Sequence, residues 1–352
     1  MGGKGAASGE AGAKATGGAA GSAGEGAASG MAGGPSSAGG AGETGNSGAG
    51  SGGTGGMDAA GTAGSSGANS AGPHLAFAAI GDSGKGSSEA KKVGEAVAAK
   101  CLASGCDFVQ LLGDNIYDDG TESVSDEQWT TKFVAPFASV TQPFWVVLGN
   151  HDYGGNGAGY EDNKADVQVA YSQTNPKWKL PARYYHHVEG PAELFALDTN
   201  AIMFGKDDQQ RKDLVTWIGA SQAPWKIAVG HHPYRSNGKH GNAGSYDGLP
   251  SFVPVASGAN VKELTEEILC GKVDLYLAGH DHSRQWLKTT CQGTELVVSG
   301  AGSGVTTLSG DNPAYFQAKT VGFAYVEVYA TKLTITMIDA DGKDEYSRTI
   351  VK

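Results

Sequence analysis

From Leu75 onward, short unbroken apolar runs recur along the chain, each closed by a polar or turn-forming segment. LAFAAI (75–80), DFVQLL (107–112), PFWVVL (143–148), ELFALD (193–198), WKIAV (225–229) and VDLYLA (273–278) are continuous rather than alternating. That pattern predicts strands buried on both faces. Between them, 87–100, 207–221 and 260–271 show helical spacing. In the last of these, Val261, Leu264 and Ile268 share a face, with Asn260 placed to cap the start and Gly271 the end. Toward the C-terminus, ELVVSG, FAYVEVYA, KLTITMIDA and DEYSRTIVK read as further strands, with DADG as a turn before the last. The expectation is a mixed α/β fold with sheet packed on sheet.

Composition divides the chain. Residues 1–73 are almost entirely Gly, Ala, Ser and Thr, without a Phe, Trp or Tyr, and hold nearly half of the 57 glycines. So little apolar surface does not offset the entropy of ordering such a segment. A flexible tail or linker is expected there, and its r.m.s. span of roughly 45 Å suits a surface tether. Residues 74–352 are long enough for one large core and are expected to form a single catalytic domain. The formal charge of -11 is spread out, with no basic stripe, which argues against a nucleic-acid partner. No window has the length and apolarity of a membrane span. The opening MGGKGAASGE shows neither a secretion signal nor a myristoylation pattern. The four cysteines admit two local disulfides, Cys101 with Cys106 and Cys270 with Cys291, or buried free thiols.

Candidate chemistry lies where the strands stop. Five apolar runs end in glycine followed by a side chain able to hold a metal. These are AAIGDSG with Asp82, LLGDNIY with Asp114 and Tyr117, VVLGNHD with Asn150 and His151, AVGHHP with His231, and LAGHDH with His280 and His282. In α/β sheets, the loops after strand carboxyl ends converge on one crevice. The glycines are expected to let the backbone turn sharply there. Carboxylates, an amide oxygen and imidazoles suit Fe, Zn or Mn. Seven donors exceed one ion, whereas two ions bridged by one carboxylate would use them all.

The order Asp-x-Gly, Gly-Asp-x-x-Tyr, Gly-Asn-His-Asp, Gly-His and Gly-His-x-His resembles the calcineurin-like metallophosphoesterases. In particular it resembles their purple acid phosphatases of the small tartrate-resistant type. The likeness covers about residues 75 to 345, including GNHDYGGN, FALDTN and AGHDHSRQ. It implies a four-layer αββα sandwich of two mixed sheets flanked by helices. It also implies two metal ions, with Fe(III) held by Asp82, Asp114, Tyr117 and His282. The second, Fe(II), Zn or Mn, would be held by Asn150, His231 and His280 and shared through Asp114. His151 and His240 correspond to histidines that contact phosphate and assist the leaving group. The implied activity is hydrolysis of small phosphate monoesters by in-line attack of hydroxide. Export is expected, because ferric chemistry suits an oxidising space and the tail suits a tether, and a monomer is favoured with the oligomeric state left open. Ser83 and Lys85 in GDSGKG depart from the bulkier residues that are usual around the first aspartate. His232 is read as a support for the neighbouring ligand or as pocket wall, His74, His186 and His187 as surface or packing residues, and Asp118, Asp119 and Asp281 as turn carboxylates or carboxylates that support the ligands. Two rival readings are a phosphodiesterase or nucleotide pyrophosphatase on the same scaffold, and a tethered binding protein whose catalysis has decayed.

Overall fold

The computed structural model describes residues 74–352. The tail expected over 1–73 lies outside the described residues. The first sheet begins with β1 (Leu75–Ile80), β2 (Phe108–Leu112), β3 (Phe144–Val147) and the short β4 (Trp178–Lys179), all parallel. The second takes β5 (Tyr185–Glu189), β6 (Ala192–Ala196), β7 (Trp225–Val229), β8 (Leu275–Ala278), β9 (Arg284–Leu287), β10 (Glu295–Ser299) and β11 (Ala314–Ala318). The chain then returns to the first sheet as an antiparallel meander, β12 (Gly322–Val328), β13 (Lys332–Asp339) and β14 (Asp344–Val351). The orders are β14-β13-β12-β1-β2-β3-β4 and β11-β9-β10-β8-β7-β6-β5, so both sheets are mixed. The helices are α1 (Ser88–Ser104), α2 (Asp162–Tyr171), α3 (Thr199–Met203), α4 (Asp208–Ala220), α5 (Pro254–Ser257) and α6 (Ala259–Leu264).

The unbroken apolar runs have a physical reason. Side chains alternate across a strand, and in the second sheet each face has its own core. Leu194, Ile227, Leu275 and Leu277 join the cluster that contains Phe77, Phe108 and Phe144 of the first sheet. Their neighbours Phe195, Ala228, Tyr276 and Ala278 join another cluster with Ile202 of α3, Leu214 and Ile218 of α4, and Val261 and Leu264 of α6. On the first sheet, α1 buries Val93, Val97 and Cys101 into the first cluster. The layers are therefore helix, sheet, sheet, helix, as expected.

Local chemistry sets the ends. Ser87 Oγ accepts from Ala90 N at 3.2 Å to start α1, and Gly105 closes it by donating to Cys101 O. The expected cap at Asn260 is not formed. α6 starts after Gly258, whose φ of 71° only glycine adopts at little cost, and Asn260 Nδ2 donates instead to Met203 O. Past Leu264 the helix widens into a π-turn, Thr265–Leu269, before Cys270 and Gly271 turn the chain. Both cysteine pairs are disulfide-bonded, Cys101–Cys106 and Cys270–Cys291. The strands β5, β9 and β11 carry polar residues such as His186, His187, Arg284 and Gln285, and so gave no apolar run.

Candidate metal centre

All nine candidate residues converge where the carboxyl ends of β1, β2 and β3 meet those of β7 and β8. The glycines act differently from expectation. Only Gly113 takes a positive φ, 86°. The left-handed turn falls on the functional residues themselves, Asp82 (φ 59°), Asp114 (φ 54°) and His280 (φ 68°). Such backbone is uncommon outside glycine and concentrates at functional sites. The other glycines permit close approach. A Cβ on Gly81 would lie 2.9 Å from Gly279 Cα, so β1 and β8 of different sheets nearly touch there. A Cβ on Gly149 would lie 2.2 Å from Asp114 Oδ1.

On one side of the site, Tyr117 Oη lies 3.1 Å from Asp82 Oδ1 and 2.9 Å from His282 Nε2. His282 Nε2 is 3.4 Å from the same carboxylate oxygen. Burial, with Asp114 and Asp82 beside it, pushes the Tyr117 phenol well above its ordinary value. A phenolate here therefore requires a cation to offset both carboxylates.

On the other side, His231 donates Nδ1–H to Leu112 O at 2.9 Å, which turns Nε2 inward. That Nε2 lies 3.0 Å from Asn150 Oδ1 and 3.4 Å from Asp114 Oδ1. Asn150 cannot present its NH2 instead, because Nδ2 donates to Gly157 O at 2.7 Å. Burial disfavours a second proton on this ring, but Asp114 and Asp82 outweigh it and raise its pKa, so the site calls for a positive charge here. With His231 neutral, three lone pairs face one another and a metal ion supplies that charge. His280 Nδ1 is 3.1 Å from the same nitrogen, and burial among other histidines holds His280 well below its ordinary value. A divalent cation fits this donor set. Asp82, Asp114 and His231 place one donor atom each within 4.8 Å of one another, so Asp114 stands between the two groups. His231, His232 and His280 form a second such set. His232, buried and paired through Nδ1 with Thr199 Oγ1 at 2.9 Å, also lines a cleft beside these atoms.

His151 and His240 flank the donors. His151 is tied through Nδ1 to Asp118 O at 2.6 Å and lies 4.3 Å, ring to ring, from Tyr117. The ring of His240 is 4.2 Å from that of His280, and its Nδ1 is 3.1 Å from Asp247 Oδ2. Its backbone N–H donates to Asp281 Oδ1, the carboxylate around which the 236–241 loop is wrapped. A cleft of about 280 Å³ opens between Asn150, His151, His240, His280 and His282.

Some functional side chains were not found in the sequence. Asp152 is fully buried and accepts five hydrogens, from Asn115 N and Nδ2, Ile116 N, Gly149 N and Gln168 Nε2. Burial and neighbouring Asp114 push its carboxyl up to about 6, against the N–H donors that favour the anion. Its signal was its place directly after His151 in GNHD. Asp247 carried no signal, lying in a glycine-rich loop. The unassigned histidines stand elsewhere: His186 pairs with Glu193 at 2.7 Å, and His74 stacks on Tyr329. Asp119 binds Lys164 at 2.8 Å.

This arrangement is a phosphoester-hydrolysing scaffold. The sequence model of the calcineurin-like phosphoesterases matches residues 75–284, and the chain belongs to that family. Within it, the chain is similar to human (Homo sapiens) tartrate-resistant acid phosphatase type 5, 28% identical over 317 residues covering 77% of this chain and 89% of that one. It is also similar to purple acid phosphatase 4 of Arabidopsis thaliana, 28% identical over 295 residues, 76% of this chain and 81% of the relative. Two solved structures share the fold. GAP50, the anchor in the inner membrane complex of Plasmodium, has a TM-score of 0.63 at 20% identity, over 80% of this chain and 90% of that one. Purple acid phosphatase PPD1 from yellow lupin (Lupinus luteus) seeds has a TM-score of 0.59 at 17% identity, over 80% of this chain and 54% of that one.

Proposed function

We propose that residues 74–352 form an acid phosphatase that hydrolyses phosphate monoesters at a two-metal centre. The observation that carries the reading is the set of facing lone pairs of His231, Asn150 and Asp114, beside the Tyr117, Asp82 and His282 group. Asp82, Asp114, Tyr117 and His282 would hold Fe(III), and Asn150, His231 and His280, with Asp114 shared, Fe(II), Zn or Mn. Such ions polarise phosphoryl oxygens and make water acidic enough to supply hydroxide near neutral pH.

The chain's own groups do the rest. Leu112 O fixes the His231 tautomer, and Gly157 O fixes the Asn150 amide, so each presents its acceptor without rearrangement. Protonated His151, whose Nδ1–H is held by Asp118 O, donates Nε2–H to a phosphate oxygen. Protonated His240, whose Nδ1–H is held by Asp247, gives the proton on Nε2 to the departing alkoxide. No phosphoenzyme is required, since attack by hydroxide breaks the P–O bond in one displacement.

The test is a visible absorption spectrum with metal analysis on wild type and Tyr117→Phe. We expect about two metals per chain and a visible band that the substitution abolishes. Protein with no transition metal would return the binding-protein reading. A bis-aryl phosphate turned over far faster than an aryl phosphate would make the enzyme a diesterase. We also propose export to an oxidising compartment, a reading supported by the two disulfides and overturned by fractionation into the cytosol.

A further inference from the structure

A second cleft, of about 290 Å³, opens beside the first and shares Asn150, Gly157, His240 and His280 with it. The two clefts are neighbours, and His240 lines both. The far wall of the second cleft is apolar, made by Met203 and Phe204 at the end of α3 and by Leu249, Val255 and Ala256 of the 249–256 segment. No lysine or arginine lines it, and its one carboxylate is Asp247. The cation nearest Phe204 is Lys206, 5.7 Å from the ring centre, and its ammonium is tied to Asp162 at 2.6 Å. The first cleft, by contrast, has Lys239 in its lining.

We propose that this second cleft receives the leaving group of the ester and selects flat, uncharged aromatic alcohols over leaving groups bearing further phosphates. The inference rests on the phosphatase reading and adds the substrate class to it. A phosphoryl group among the metal-holding side chains directs its ester oxygen toward His240, and whatever is bonded to that oxygen continues into the apolar cleft. An aromatic ring there loses water from both faces against Met203, Phe204 and Val255. A second phosphate would meet the Asp247 carboxylate in a space that no lysine or arginine lines. The assignment disfavours nucleoside di- and triphosphates and favours aryl monophosphates.

The deciding measurement avoids bond cleavage, because a naphtholate is also the better leaving group. Full-length, metal-loaded protein is titrated calorimetrically with 2-naphthylphosphonate and with methylphosphonate. We expect the naphthyl compound to bind at least about tenfold more tightly. Phe204→Ser with Val255→Ser should collapse that ratio toward one. Leu249→Ser, at a position 37% exposed, makes the same test should the double variant fold poorly. In turnover, kcat/KM for 2-naphthyl phosphate should exceed that for ADP by about tenfold or more, and Val255→Lys should narrow the gap. Equal phosphonate affinities, or ADP preferred, would overturn the substrate class while leaving the phosphatase reading intact. If methylphosphonate and inorganic phosphate both fail to bind and no monoester is turned over, both readings fall.

Discussion

At Asp152, five hydrogens converge on one buried carboxylate, and the loops that carry Asn115, Gly149 and Asn150 are held by it. Asp152→Asn keeps the shape but points an NH2 at some of those donors. We expect a loss of about 3 kcal/mol in stability, read as a lower thermal midpoint together with reduced metal content. His187 makes a separate prediction, remote from the centre. Its ring stacks on Trp145 at 3.9 Å, and neither ring nitrogen has a partner among the described residues. Burial, helped by His186, lowers its pKa to about 4, below the 6.5 expected when unfolded. Between those values the unfolded chain takes up a proton that the folded chain refuses. Its contribution is therefore complete above pH 6.5 and lost as pH falls toward 4, by about 2 kcal/mol after allowing for partial exposure. Urea unfolding at pH 7, 5 and 4 should show that loss in wild type, with a flatter profile in His187→Phe, which keeps the stack.

At the level of elements, the strand ends do the positioning. Each glycine there makes room for a neighbour: a Cβ on Gly113 would lie 2.5 Å from His231 Nδ1. Gly113→Ala should displace His231 from Leu112 O, and Gly149→Ala should displace Asp114. Both variants are expected to fold with near-native circular dichroism while losing at least tenfold in metal affinity, measured by competition with a chelator. The Cys270–Cys291 bond closes a segment of 21 residues between the π-turn and β10. Replacing both cysteines with serine should cost about 3 kcal/mol, read by thermal melting with no change in the visible spectrum. The strand ends were legible in the sequence because each pairs an unbroken apolar run with glycine and a polar side chain. The function of those glycines was not, because close approach depends on a strand far away in the chain. Gly81 meets Gly279, and no local pattern records that. The cap expected at Asn260 failed for the same reason, since its partner Met203 O is 57 residues distant. The apolar wall of Met203, Phe204 and Val255 was equally hidden, as its members read individually as ordinary helix or loop residues.

Over the whole molecule, the candidate centre joins two sheets that also meet through apolar packing and through polar contacts such as Arg348 with Glu295 and Ser299 Oγ with Ala79 O. Asp82, Asp114, Tyr117 and Asn150 follow strands of the first, whereas His231, His280 and His282 follow strands of the second. Metal removal should therefore loosen the contact between layers and not merely a loop. Dialysis against a chelator is expected to lower the thermal midpoint by an amount reflecting about 4 kcal/mol at metal concentrations a thousandfold above Kd. Hydrogen exchange should rise at the ends of β2 and β8 together. The layered architecture could be anticipated from residue order, and so could which side chains gather at the strand ends. The orientation of each donor could not, since it depends on carbonyls such as those of Leu112, Gly157 and Asp118.

The position of β1 has a consequence for biosynthesis. It lies between β2, made soon after it, and β12, made after the whole second sheet, with which it pairs from Leu75 to Ala79. On the ribosome, that edge of β1 stays open until residues 322–328 emerge. The proposed donor set is complete earlier, once His282 has emerged. A product truncated before Gly322 would retain every proposed ligand and still leave β1 unpaired along that edge. Such fragments should be lost to aggregation or proteolysis although their donor set is whole.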